Sequence, residues 1–189
     1  IKATLINGTA AMQDPGANAP PIGFPNFDQG FGRLDMAGTL PNASRPDMRL
    51  EFLDRPSNTK RLFTQQGQRH RWEFRLDADG ELRLCLAWTD PPARALQNSI
   101  RMLLDQGALG RKWASNTGAA TLLKLAEPTV FSGLPVLTQR DASNNVHILR
   151  VPDAKQGLYS LSLVADFMTS DSQSWALVVT GHIQALVQR

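Results

Sequence analysis

Leu158-Tyr159-Ser160-Leu161-Ser162-Leu163-Val164-Ala165 alternates without a break, with Leu158, Ser160, Ser162 and Val164 on one side and Tyr159, Leu161, Leu163 and Ala165 on the other. In an extended strand successive side chains point to opposite faces, so the second set faces inward. Upstream, Leu82-Arg83-Leu84-Cys85-Leu86-Ala87-Trp88 places Leu82, Leu84, Leu86 and Trp88 opposite Arg83, Cys85 and Ala87. That run predicts a central strand. Arg69–Leu76 alternates through Trp72, Phe74 and Leu76 into a turn at Asp77-Ala78-Asp79-Gly80. Further strands are expected at 99–104, 121–125, 145–151, 158–165 and 174–181. So many short strands with almost no helix among them predict a mainly β fold, an antiparallel β-sandwich of jelly-roll type, over residues 47–184.

The first 46 residues read differently. Ile1, Leu5 and Ile6, then Thr9 and Met12, recur at helical spacing, which predicts a helix over 1–12 with no capping residue before it. A proline-rich and glycine-containing loop follows over 13–26. Gly30 and Gly32 bracket Phe31 in a tight bend, Leu34–Leu40 predicts a helical turn, and Pro41 and Pro46 mark a boundary with the sandwich. Residues 185–189 read as a tail. The chain opens on Ile1 with no signal-peptide pattern, so it reads as a piece of a longer protein.

Composition narrows the function. With 42% hydrophobic residues the chain has ample material for a packed core. Its 20 Lys and Arg against 17 Asp and Glu leave a formal charge of +3, and the basic residues fall in short scattered groups such as Lys60-Arg61, Arg69-His70-Arg71 and Arg111-Lys112. That patterning argues against a nucleic-acid partner. No apolar run approaches the ~20 residues that span a bilayer, which argues against a membrane. Cys85, the single cysteine, has no disulfide partner and stands between Leu84 and Leu86 as a buried small hydrophobe.

Several stretches together carry a family resemblance: Ile1-Lys2-Ala3-Thr4-Leu5-Ile6-Asn7-Gly8, Pro25-Asn26-Phe27-Asp28-Gln29-Gly30-Phe31-Gly32-Arg33-Leu34, Leu84–Pro92, Asn144-Asn145-Val146, Gly157-Leu158-Tyr159 and Ser174–Val179. In this order and spacing they resemble the end of the catalytic domain and the C-terminal jelly-roll sandwich of subtilisin-like serine proteases, specifically the high-molecular-weight alkaline subtilases. The resemblance implies a secreted or extracytoplasmic parent endopeptidase. Residues 1–46 would be the end of its catalytic domain, and the upstream catalytic domain would be the partner of this segment. It also implies that the catalytic Asp, His and Ser lie outside these residues, so catalytic residues are expected to be none. The sandwich would stabilise the protease domain or restrict access to it. On this reading Ile1, Leu5 and Ile6 lack partners within the sandwich, and the helix is expected to be poorly ordered or buried against another molecule, self-association included.

Calcium is the cofactor the resemblance suggests. Hard cations need several oxygen ligands, and in the matching loop, 88–101, Asp90 and Asn98 keep the family pattern and are the candidate metal ligands. Ser99 and Arg101 stand where relatives carry aspartates, and a cation beside Arg101 would meet like-charge repulsion. The alternative for Asp90 is a turn in which it accepts backbone N–H bonds ahead of Pro91 and Pro92. Asp141-Ala142-Ser143-Asn144-Asn145 is a second polar loop open to the same two readings. His70, His147 and His182 lie in or beside strands, and no serine occupies a Gly-x-Ser-x-Gly elbow, so an independent triad is not expected. Most of Trp72, Phe74, Trp88, Tyr159 and Trp175 stand in apolar alternation and read as core. Trp113, after Arg111-Lys112, is the aromatic singled out for contact with a ligand or partner. A carbohydrate- or protein-binding module is the alternative function that such a sandwich could serve.

Overall fold

A computed structural model of the chain describes residues 1–10, 12, 30–55, 62–116, 141 and 143–189. Helix α1 (Lys2–Asn7) and a 3-10 turn (Met36–Gly38) precede nine strands: β1 (Arg49–Arg55), β2 (Arg69–Leu76), β3 (Gly80–Ala87), β4 (Asn98–Gln106), β5 (Arg111–Ala114), β6 (Val146–Ala154), β7 (Gly157–Met168), β8 (Trp175–Gly181) and β9 (Val187–Gln188). They form two antiparallel sheets, in the orders β1-β8-β3-β6 and β5-β4-β7-β2-β9. β1 pairs with β8, β2 with β7, β3 with β6 and β4 with β5. This is one long hairpin, coiled until β3 meets β8 and β4 meets β7 to complete the sheets. Such winding is the jelly roll. The tip of the hairpin is the β4–β5 turn, where Gly110 adopts φ 63, a conformation that disfavours a side chain.

The alternating strands behave as their pattern predicts. Tyr159, Leu161, Leu163 and Ala165 of β7 are fully buried, while Leu158 is exposed on the other side. Trp72, Phe74 and Leu76 of β2 meet them from the adjacent strand. Trp72 lies edge-on to Trp175 across the interior at 5.5 Å, and Phe74 stacks on Tyr159 at 5.5 Å. Burying each large apolar side chain contributes about 1.5–3 kcal/mol, and such ring pairs add about 0.5–1.5 kcal/mol beyond that. Trp113, expected to be open to a ligand, is 2% exposed and stacks toward Tyr159. The expectation is corrected: β5 is short, but its register against Leu104 turns this ring inward.

Four elements differ from the sequence reading. The helix runs over Lys2–Asn7 instead of 1–12. β1 and β5 emerge where no strand was marked, and residues 187–188 of the tail pair with Trp72 and Glu73 as β9. The strand expected at 121–125 lies outside the described residues. The φ values of 57 at Gly30 and 87 at Gly32 fit the tight bend read there.

The largest departure concerns α1. It does not lack partners in the sandwich: it packs across β3 and β8 on the outer side of the four-stranded sheet. Ala3 belongs to the core cluster, Ile6 packs against it, and Asn7 Nδ2 donates to Thr180 Oγ1 at 3.1 Å in a buried contact. Of the apolar residues at this helix, Ile1 (97% exposed) and Leu5 (37%) turn to solvent. β3 is therefore covered on both faces, and Cys85 and Ala87, outward by alternation, are buried as well. Burial pushes the Cys85 thiol up to about 12, so it is neutral and unreactive at ordinary pH.

Arg150 of β6 is the polar anchor of this layer. Its guanidinium donates to the backbone oxygens of Asn7 and Thr9 and to Thr9 Oγ1, meeting carbonyls that the end of a helix leaves without intrahelical donors. Burial lowers Arg150 to about 10, helped by the neighbouring Arg83, and it remains cationic at neutral pH. Gly8 permits a second close approach, since a Cβ there would lie 1.6 Å from Thr39 Oγ1 in the segment that follows the 3-10 turn.

Arg150→Met is expected to remove charge-assisted bonds and to lower folding stability by about 2–4 kcal/mol, read as a shifted urea midpoint. The same variant should expose Cys85 to a thiol reagent under native conditions, where the parent chain stays unlabelled. Unchanged labelling would mean that the N-terminal layer is not held by this residue.

Candidate functional site

The loops 88–97 and 169–174 meet Ser115, Asn116, Asp141 and residues 143–145 at one end of the sandwich, because β3, β5 and β7 all run out toward that end. The sequence-derived candidates are brought together there. Asp90 uses both carboxylate oxygens as acceptors: Gln97 N–H donates to Oδ2 at 2.6 Å and Asn98 N–H to Oδ1 at 2.8 Å. It thereby closes the loop between β3 and β4. Asn98 is fully buried, and its Oδ1 accepts from the backbone N–H groups of Thr169 and Ser170. Its Nδ2 donates to Ser170 Oγ and to Gln173 Oε1, the latter at 2.6 Å. Gln173 Nε2 in turn donates to Thr89 O and Ser174 O. Asp90 and Asn98 thus clasp two loops, and a cation would have to displace backbone donors from the same oxygens. Arg101, whose charge weighed against a cation, is paired with Asp166 at 3.0 Å. Among the described residues no group of three or more His, Cys, Asp or Glu is disposed to hold a metal.

A second cluster was missed as a unit by the sequence reading. Ser115 Oγ lies within hydrogen-bond distance of His147 Nδ1, 2.8 Å away, and accepts the Met102 N–H at 3.2 Å. Asp141, the acidic residue of the second polar loop, lies close enough to bias the imidazole electrostatically. Serine, histidine and aspartate are therefore neighbours, but the arrangement is not a nucleophilic triad. Ser115 and His147 are buried, which leaves no room for a substrate at Oγ. The Asp141 carboxylate is occupied by Asn116 Nδ2, Asn144 Nδ2 and the N–H groups of Ser143 and Asn144. These bonds hold Asp141 below its ordinary value against the opposing effect of burial. Burial pushes His147 down to about 4, with Asp141 opposing, far from the near-neutral value that general-base catalysis favours.

What the cluster does is mechanical. Asn116, at φ 47, donates its own N–H to Ile148 O and accepts the Ile148 N–H at Oδ1, 2.9 Å away. It satisfies the free edge of β6, which an unpaired strand would otherwise present to other chains. His147 packs its ring against Trp88 at 5.4 Å, and Trp88 Nε1 donates to Asn98 O, linking the two polar clusters. His182 lies at the opposite end, and His70 packs among Phe63, Trp72 and Trp175. The clue available for His147 was the apolar setting Val146-His147-Ile148, which favours burial over a strand-end position.

No family model matches the chain. Among curated proteins it is similar to the serine protease/ABC transporter B family protein tagA of Dictyostelium discoideum, 23% identical over 186 residues that cover 95% of this chain. The chain spans about a tenth of the length of that relative, 10%. The similarity runs through the N-terminal layer and the sandwich alike and connects the chain to a protein named as a serine protease.

The buried imidazole makes stability depend on pH with a definite sign. Above about pH 6.5 His147 is neutral in both states; below it the unfolded chain takes up a proton that the folded chain refuses until about pH 4. Folding stability should therefore fall by about 3 kcal/mol as pH drops through that window. Urea midpoints measured across it for the parent and for His147→Gln should diverge, the variant showing the flatter profile. Separately, Asp90→Ala should cost about 1–3 kcal/mol through the backbone N–H groups it strands, and added calcium should leave the parent melting temperature unchanged.

Proposed function

We propose that this chain is a non-catalytic unit of a subtilisin-like serine endopeptidase: the end of the catalytic domain seated on the C-terminal jelly-roll sandwich. The observation that carries the reading is the seat itself. α1 is pinned to the four-stranded sheet by Ala3, Asn7 and Arg150, and the 3-10 turn by Arg83, which donates to Gly38 O, so whatever continues from this layer would be rigidly coupled to the sandwich. Ile1 and Leu5, which the sandwich leaves exposed, would complete their burial on the catalytic body. The motif resemblance across the chain and the relative named as a serine protease support the same assignment. On this reading the sandwich stabilises the protease domain and limits which substrates reach its cleft, and the parent acts outside the cytoplasm. The oxygens of Asp90 and Asn98, the candidate calcium ligands, accept loop N–H groups, which argues against a calcium site at these two residues.

The carbohydrate-binding alternative has less support. Among the described residues the exposed rings are Phe52 and Phe167, which lie on different sheets and make no stacking platform.

Two measurements test the proposal. A fluorophosphonate probe should leave the purified chain unlabelled, and casein should survive incubation with it. The coding sequence upstream of residue 1 should contain a Gly-Thr-Ser-Met nucleophile motif in frame. Labelling of the chain, or an upstream sequence with no such motif, would overturn the assignment.

A further inference from the structure

Pairing of β2 with β7 gathers charges that the sequence had scattered. The outward positions of β2 are Arg69, Arg71, Glu73 and Arg75, set against the inward Trp72, Phe74 and Leu76; the three arginines are exposed on the outer face of the five-stranded sheet, and the one carboxylate among them, Glu73, is neutralised by Arg189. Elsewhere on that face cations are matched: Arg101 pairs with Asp166, Lys112 with Asp105, and Arg189 with Glu73. Arg69, Arg71 and Arg75 have no carboxylate partner among the described residues. Arg71 Nε donates only to a hydroxyl, Ser160 Oγ, at 2.8 Å.

The surface beside these arginines is low. β7, the central strand, contributes Ser160 opposite Glu73 and Ser162 opposite Arg71, while Leu158 lies exposed opposite Arg75. The result is a shallow floor of hydroxyls and one apolar side chain, bordered by a cationic rail. Adjacent alternate positions on a strand are about 6.8 Å apart, the same pitch at which an extended polypeptide presents its own alternate side chains. Guanidinium groups pair with carboxylates through two parallel N–H bonds. The rings of Trp72, Phe74 and Tyr159 all point into the core, so the rail offers no stacking surface for bases.

We propose that the outer face of the five-stranded sheet is a docking surface for an extended acidic polypeptide segment, held by Arg69, Arg71 and Arg75. The surface is separate from the N-terminal layer, so the proposal stands whether or not the chain belongs to a protease. In a protease parent it would favour acidic protein substrates.

Binding of a fluorescein-labelled oligo-glutamate peptide to the purified chain, followed by fluorescence anisotropy, tests this. The peptide should bind at low salt and weaken as salt rises. The R69Q/R71Q/R75Q variant should weaken binding by about tenfold or more, and Arg75→Gln alone should give a smaller loss in the same direction. A charge-matched variant elsewhere, R33Q/R49Q/R94Q, should bind like the parent, with circular dichroism melts confirming that every variant is folded. The proposal is overturned by absence of peptide binding or by equal losses in the two triple variants. It is equally overturned if a single-stranded oligonucleotide or heparin binds more tightly than the peptide through the same three arginines.

Discussion

Burial of β3 on both faces is the constraint from which the rest of the molecule follows. On its inner side Leu82, Leu84 and Leu86 complete the core against the five-stranded sheet; on its outer side Cys85 and Ala87 require cover that no strand supplies. α1 supplies it. The helix is too short to be stable by itself, so its order comes from this contact and from the Arg150 guanidinium that closes its C-terminal end. An N-terminal segment and a β-domain that look separable along the chain are thus interlocked in space.

The polar residues at the loop end obey a second constraint. Loops that cross a sandwich end leave backbone groups without ladder partners, and each buried one must find a hydrogen bond. Asp90, Asn98, Asn116, Asp141 and Gln173 meet that need, each binding main-chain atoms of a loop or strand edge remote from itself or within its own turn. Residue types associated with ligation and catalysis are therefore present in quantity, but their lone pairs and protons are spent on the fold. The Ser115–His147 contact belongs with them. It joins β5 to β6 across the end of the barrel-like interior, where a neutral imidazole offers one acceptor and a flat ring for Trp88.

Much of the sandwich was legible because half-buried strands announce themselves by period-two alternation. Arg69–Leu76 coincides with β2, the inward face of β7 matches its reading at Tyr159, Leu161, Leu163 and Ala165, and the run read as a central strand is β3. β1 and β5 escaped notice for a physical reason. β1 lies at a sheet edge with Phe52 exposed, and β5 spans four residues, so neither carries a full apolar face. The candidate site was legible only in part. Asp90 and Asn98 were identified and do lie together, and the turn alternative, with Asp90 accepting backbone N–H bonds, describes the bonds it makes. The partners Gln173, Ser170 and Thr169 come from a loop some seventy residues away, and no local pattern connects them.

By itself the sequence determined the class of fold, the inward face of β7 and the inert character of Cys85, because these depend on side-chain polarity taken in local order. The tertiary structure alone decided that α1 seats on β3 and β8, that Trp113 is core, that His147 is held neutral beside Ser115, and that three arginines without a carboxylate partner among the described residues share one face. These outcomes rest on which strands become neighbours. That choice is made by closure of the whole hairpin around its core, and it is not encoded in any one segment.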